Sequence, residues 1–364
     1  MKKIVVLLGT RPEVIKLAPV IKALKTKKRM FKTYVVATGQ HREMANRFLS
    51  AFGVYVDENL NIMKENQTLT EITSRILAKF EADICDKFNP DLIIVQGDTT
   101  TAYTAALAAF YKKIKVAHVE AGLRTEDKFN PFPEEMNRRM ISCISDFNFA
   151  PTRIAAQNLA DEGHSKKGIF ITGNTIVDAF KFYSKKVNSG KTQKAGRLIM
   201  VTMHRRENFG RPAENVCKAL LKIRDACKDV RIRFPVHPNP NIKKVVAKYL
   251  TGKSGIILSG PVSYDEMIEM IREAHLILTD SGGIQEEAPT FGKPVLVLRK
   301  NTERPEGIAA GVAKLVGTDT AKIFRETKKL LDSKKNYKMM SKAKNPYGDG
   351  KASERIVKVL EKHL

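Results

Sequence analysis

The 364-residue chain reads as an α/β protein of two doubly wound domains, each a parallel sheet with helices on both faces. Three observations predict this. Short β-branched and aliphatic runs alternate with amphipathic stretches over nearly the whole chain. The runs are continuously apolar rather than alternating, as in strands covered on both faces. The alternation halts once, at a polar, glycine-bearing stretch, and then begins again.

The first run, residues 4–8 (IVVLL), follows Lys2 and Lys3 and imitates the start of a signal peptide. It ends at Gly9 after five apolar residues, too short for such a signal, and no small-residue cleavage site follows. It is read as a buried strand, and the protein is expected in the cytoplasm. Further strands are predicted at 33–37, 92–95, 115–119, 147–150 and 169–171. Helices are predicted at 12–26, 42–52, 69–88, 101–111, 134–145 and 152–161. Residues 183–196 (YSKKVNSGKTQKAG) have no apolar period. The expected division is therefore a first domain over 1–183, a linker over 184–196 and a second domain over 197–345. Strands recur at 198–202, 231–236, 255–258, 276–279 and 294–298. A last helix, 353–363, follows the turn NPYGDG and is expected to return to the first domain.

Bulk properties narrow the function. No run of about 18 apolar residues occurs, so no membrane-spanning helix is expected. The cysteines at 85, 143, 217 and 227 show no CxxC spacing, which argues against a zinc site or a disulfide framework. The net charge of +25 invites a nucleic-acid reading. Its lysines are spread along helices and linkers without aromatic interleaving, so most are read as solvated surface and no nucleic-acid partner is expected.

Ligands of open parallel sheets bind beyond the carboxyl ends of the strands, so the residues just after each strand are the candidates. The first strand runs into GTRPE, where Gly9 allows a tight turn and Arg11 is placed either to meet a phosphate or simply to face solvent. The strand at 92–95 runs into QGDTTT. There Asp98 either caps the next helix or, if a neighbouring hydroxyl does so, is left free. In HVEAGLRT, Glu120 closes a strand beside His118, a position that packing explains poorly. In PFPEEMNRR, the helix dipole accounts for one of Glu134 and Glu135 but does not need both. Carboxylates at 98, 120 and 134 on neighbouring strand ends would crowd one pocket and take acid and base roles.

The second domain offers MHRRENFG, with His204 beside two arginines at a strand end, and more weakly His237 at the next. The sharpest signal is TDSGGIQEEA. There Ser281, Gly282 and Gly283 let backbone N–H groups reach phosphate oxygens at a helix start, and Glu287 suits the two hydroxyls of a ribose. Arg304, in TERPEG, follows the next strand. The dinucleotide fingerprint G-x-G-x-x-G is absent, and GKS at 252–254 fails as a P-loop because position 247 is alanine.

The motifs GTRPE, GDTTT, HVEAGLRT, PEEMNR, HRREN, DSGGIQEEAP, GKPVLVLR and TERPE, in this order and spacing, resemble the UDP-N-acetylglucosamine 2-epimerase family of the non-hydrolysing type. The resemblance implies a GT-B-type fold, with two Rossmann-like domains facing each other across a cleft that holds the active site. It implies interconversion of UDP-N-acetylglucosamine and UDP-N-acetylmannosamine by a homodimer that serves surface polysaccharides or related polymers. By motif, Arg11 and Lys16 would lie near the nucleotide or its sugar, and Asp98, Glu120 and Glu134 would be the catalytic carboxylates. His204 would contact the diphosphate and share in catalysis. Ser281, Gly282 and Gly283 would hold the phosphates, Glu287 the ribose, and Arg304 the diphosphate side. Some bacterial members carry a second, regulatory substrate site near the motif that begins here with Gln40 and His41.

The chemistry fits the residues. The C2 proton of an N-acetylhexosamine is not acidic, so direct deprotonation is implausible, whereas elimination of UDP to a glycal and re-addition is open. That route needs carboxylates for either face of the sugar and donors on the leaving diphosphate. It needs no metal and no redox cofactor. Alternatives are a hydrolysing epimerase, which would release free N-acetylmannosamine and UDP, and a GT-B glycosyltransferase, which would need an acceptor.

Overall fold

A computed structural model describes residues 1–39, 49–62, 67–186 and 196–364. The chain forms two compact units, Met1–Ala179 with Tyr347–Leu364, and Phe180–Pro346.

The first unit contains a seven-stranded parallel sheet. Its strands are β1 (Lys2–Leu8), β2 (Phe31–Ala37), β3 (Glu58–Asn59), β4 (Leu92–Gln96), β5 (Lys115–Val119), β6 (Phe147–Ala150) and β7 (Ile169–Ile171). Their order is β3-β2-β1-β4-β5-β6-β7. Between them run α1 (Arg11–Thr26), α2 (Leu69–Phe80), α3 (Thr100–Tyr111), α4 (Glu134–Ile144), α5 (Arg153–Asp161) and α6 (Thr175–Lys186). The central strands β1 and β4 are almost wholly buried, which is why their sequences carry no polar alternation. Alanines at 102, 105, 106, 108 and 109 let α3 lie close on the sheet.

The second unit contains β8 (Arg197–Thr202), β9 (Val230–Pro235), β10 (Ile256–Ser259), β11 (Leu276–Thr279), β12 (Val295–Val297) and β13 (Ala313–Leu315). All are parallel, in the order β10-β9-β8-β11-β12-β13. Its helices are α7 (Arg211–Ala226), α8 (Pro240–Leu250), α9 (Tyr264–Glu273), α10 (Gly282–Glu287), α11 (Pro305–Ala309), α12 (Thr320–Asp332) and α13 (Lys334–Ser341). The last helix, α14 (Ala352–His363), belongs to the first unit. There Lys27 Nζ meets Glu361 Oε1 at 2.8 Å, and buried Asp178 accepts the Ala352 and Ser353 amides at 3.1 and 2.8 Å.

Some features differ from the sequence expectation. Strand β3 is two polar residues long and pairs Val36 with Glu58, too short for any period to show. Strand β13 is an edge strand of three residues with a lysine at its centre. The helix expected over 69–88 ends its α-helical part at Phe80. It continues as a π-helical turn, Glu81–Asp86, that sends Ile84 and Cys85 into the core. Most of the helix expected at 42–52, and Gln40 and His41 with it, lies outside the described residues, as do residues 187–195 of the expected linker.

The two units divide between Ala179 and Phe180, inside α6. Phe180 packs on Phe291 with ring centroids 4.8 Å apart, and Tyr183 on Tyr264 at 5.8 Å. These contacts commit the end of the helix to the second unit, whereas the polar stretch after it suggests a boundary at 183. Among the described residues no helix is long and apolar enough to cross a membrane.

In each sheet the strand order reverses beside the first strand, between β1 and β4 and between β8 and β11. The loops after those four strands open at the crevice where doubly wound folds take their ligands.

Candidate active site

In the first unit the loops after β1, β4, β5 and β7 converge. Thr99, not Asp98, caps α3, its hydroxyl accepting the Ala102 amide at 3.0 Å. That leaves the Asp98 carboxylate to meet Arg138 Nη2 at 2.6 Å. Burial pushes the Asp98 carboxyl above its usual range. Arg138 and Lys16 oppose the rise, and the charges of Glu120 and Glu134 add to it. Of the three carboxylates expected to crowd one pocket, Glu120 and Glu134 are thus each within electrostatic reach of Asp98.

Glu120 follows β5 with φ of 67°, a left-handed conformation that costs a non-glycine residue on the order of 1 kcal/mol. A buried network holds it there. Lys16 Nζ, from α1, lies 2.5 Å from Oε1, and Asn174, after β7, donates its amide to the same oxygen at 2.9 Å. Gln96, the last residue of β4, donates to Oε2. Three side chains from separate parts of the chain therefore aim one carboxylate.

The glutamate pair at the start of α4 divides its labour. Glu135 is wholly buried, paired with Arg139 at 2.9 Å and accepting the Thr125 amide and hydroxyl at 3.1 and 3.0 Å. It builds the loop. Glu134, the first residue of the helix and only half-buried, is the one left over.

Two buried groups were not singled out as functional by the sequence. Glu13 completes a capping box with Thr10 and also accepts the Thr99 hydroxyl at 3.0 Å, so it ties the start of α1 to the start of α3 across the order reversal. Burial drives its carboxyl up to about 7. His118 donates Nε2–H to the Gly97 carbonyl at 2.7 Å, supporting the turn that presents Asp98, and burial drives its ring down to about 4. The Glu13 bond to Thr99 joins residues 86 positions apart, which the local motif does not reveal. Arg11 sits half-buried at the first residue of α1.

In the second unit the glycine turn opens α10 with Ser281 at the N-cap. Neither Gly282 nor Gly283 has a left-handed φ. A Cβ built on either would come no closer than 3.9 Å to its nearest neighbours, Arg205 Nη2 and Ser281 Oγ respectively. Neither the backbone nor the packing requires glycine here. Glu287 is buried and accepts the Tyr264 hydroxyl at 3.1 Å. Arg304 is held by Glu286, a buried carboxylate, and by the Glu303 carbonyl at 3.1 Å. Arg299 bridges Glu207 and Glu303 at 2.6 and 2.7 Å and keeps the loops after β8 and β12 together.

His204, after β8, places Nδ1 2.9 Å from Oδ1 of Asp280, after β11. His237 stands beside it with ring centroids 6.1 Å apart and its ring exposed. Asp280 was visible in the sequence only as part of a motif. Its partnership depends on β8 and β11 being neighbours, which periodicity does not reveal.

Two Rossmann-like sheets, one bearing a coupled carboxylate cluster and the other a glycine turn beside a His–Asp pair, define an α/β protein of the GT-B type. Comparison with known proteins takes this one step further. The UDP-N-acetylglucosamine 2-epimerase family profile matches residues 22–361, and the chain belongs to that family. A UDP-N-acetylglucosamine 2-epimerase of Campylobacter jejuni is 47% identical over 376 residues, spanning 99% of this chain and 98% of that protein. The crystal structure of UDP-GlcNAc 2-epimerase from Neisseria meningitidis bound to UDP-GlcNAc is 42% identical with a TM-score of 0.91, covering 99% of this chain and 100% of that one. That of Methanocaldococcus jannaschii, in complex with UDP-GlcNAc and UDP, is 36% identical with a TM-score of 0.81 and covers 99% of both chains. A glycotransferase of kitacinnamycin, 10% identical with a TM-score of 0.66, shares the fold alone.

Proposed function

We propose that this protein interconverts UDP-N-acetylglucosamine and UDP-N-acetylmannosamine without hydrolysis, through a glycal. The observation that carries the reading is the coupling of Asp98, Glu120 and Glu134, with Asp98 raised by burial and by its two acidic neighbours. A raised carboxyl beside two further carboxylates suits a reaction that removes a proton and later returns it.

In the forward step a carboxylate of the first unit takes the C2 proton. The C1–O bond breaks with its electron pair going to the β-phosphate oxygen, and C1=C2 forms. In the return step a second carboxylate protonates C2 on the opposite face, and the phosphate oxygen attacks C1. Lys16, on α1 and paired with Glu120, balances the negative charge of the cluster. In the second unit the amides of the Ser281–Gly282–Gly283 turn and Arg205 take the diphosphate, where charge develops as the bond breaks. Glu287 takes the ribose, and Arg304 the diphosphate side.

The test is product analysis of UDP-N-acetylglucosamine incubated with the pure protein. UDP-N-acetylmannosamine is expected. Free N-acetylmannosamine with UDP would move the protein to the hydrolysing branch, and turnover only with an acceptor sugar would make it a transferase.

A further inference from the structure

Asp280 has no task in that scheme, yet it is a heavily engaged carboxylate. It is fully buried and gathers donors from the loop after β8. The His204 amide lies 3.1 and 3.0 Å from its two oxygens, the Arg205 amide 2.9 Å from Oδ2, and the Asn208 side-chain amide 2.9 Å from Oδ2. Burial alone would raise its carboxyl. The His204 ring and the backbone amides outweigh burial and hold it below the usual range. The neighbouring strand ends are clamped as well, the Thr202 and Thr279 hydroxyls lying 2.6 Å apart.

The backbone and Asn208 donors account for Asp280 as an anchor of the loop. They do not account for the His204 ring. Its Nδ1 lies 2.9 Å from Oδ1, while its side chain keeps 39% of its surface open. An ionised carboxylate only accepts, so Nδ1 must carry the hydrogen and Nε2 is the outward nitrogen. Nε2 takes no hydrogen bond from the described residues. Asp280 also immediately precedes Ser281, so one residue registers the imidazole against the glycine turn.

We propose that Asp280 is a positioning residue that fixes His204 in the Nδ1–H tautomer and directs Nε2 at the leaving diphosphate. The role rests on reading the glycine turn as the diphosphate site. The Nδ1–H ring first takes a proton from solvent on Nε2; when C1–O breaks, the electron pair passes to the phosphate oxygen, that proton moves to it, and the ring is left as the neutral Nδ1–H tautomer. On return the proton goes back to Nε2 as the C1–O bond re-forms. While the ring holds both protons, the buried carboxylate lies against its positive charge. Asparagine at 280 would still accept backbone amides through its oxygen but would turn an NH₂ toward Nδ1. The ring then becomes the Nε2–H tautomer and loses its counter-charge.

The experiment is long-range ¹H–¹⁵N NMR of the histidine rings in the whole protein, with His204 assigned from its loss in His204→Ala and UDP as the probe ligand. Wild type is expected as Nδ1–H, with Nε2 shifting on UDP addition, and D280N as Nε2–H. For D280N, kcat should fall roughly 100-fold with KM within a few-fold, in the range seen when such supporting groups are removed. In the His204→Ala background D280N should cost nothing more, because the two act as a unit. An Nε2–H ring in the wild type, or losses that multiply in the double variant, would overturn the proposal. The wild-type tautomer needs no substitution, so a D280N protein that fails to fold does not shield it. The ring and UDP readouts need no turnover, so they stand apart from any failure of the epimerase reading.

Discussion

Lys16 and Glu120, 104 residues apart in sequence, place Nζ and Oε1 2.5 Å apart with 11% and 6% of their side chains exposed. A lysine on the first helix of a doubly wound sheet thus reaches a glutamate held in a left-handed turn on the far side of β4. Removing one partner of such a pair leaves the other charge buried. Lys16→Met is expected to cost about 3 kcal/mol of stability in urea titration and to lower kcat at least about 100-fold. A variant of unchanged stability and rate would mean that the pair is solvent-relaxed and idle.

Asp98 stands above its usual acidity range because burial outweighs Arg138. A base with a raised value is lost as pH falls through that value, so it sets the acid limb of kcat/KM. Arg138→Met removes an opposing charge and should move the acid limb about one unit to higher pH. A limb that stays in place would assign it to another group.

Glu13, at about 7 in the fold against the ordinary 4.5 of a glutamate, binds a proton that the unfolded chain releases. Below about 4.5 both states are protonated. Between about 4.5 and 7 the unfolded state holds fewer protons, so stability falls as pH rises, by roughly 3 kcal/mol in all. Glu13→Gln cannot ionise. Its melting temperature relative to wild type should therefore climb by several degrees from pH 5 to pH 8, and a flat difference would contradict the assignment.

Gly282→Ala and Gly283→Ala separate site from fold. With no atom beyond the adjoining residues and the helix's own backbone closer than 3.9 Å to the new methyl, and a helix to strengthen, stability should hold or rise by up to about 1 kcal/mol. Calorimetry should nonetheless show UDP affinity falling at least about tenfold. Retained affinity would remove the turn from the diphosphate site.

What sequence revealed and what it hid follow from the range of each interaction. Strand ends, the glycine turn and the free carboxylate at Asp98 depend on neighbours within a few residues. Thr99 was one of several nearby hydroxyls able to take the cap and leave Asp98 unemployed. Strands β3 and β13 were hidden because two or three residues, half of them polar, have no period. Asp280 and the second bond of Glu13 were hidden because each joins loops made adjacent only by the strand order 2-1-4 within its sheet. The division inside α6 was hidden because Phe180 and Tyr183 read as ordinary core residues until their partners Phe291 and Tyr264 are known.

The central claim is reversible elimination through carboxylates of the first unit. Its most direct test is proton NMR of UDP-N-acetylglucosamine with the pure protein in heavy water. The account predicts UDP-N-acetylmannosamine, with deuterium entering C2 of both nucleotide sugars as equilibrium is reached. Epimerisation with the C2 hydrogen fully retained, or no reaction from a folded protein that binds UDP, would contradict it.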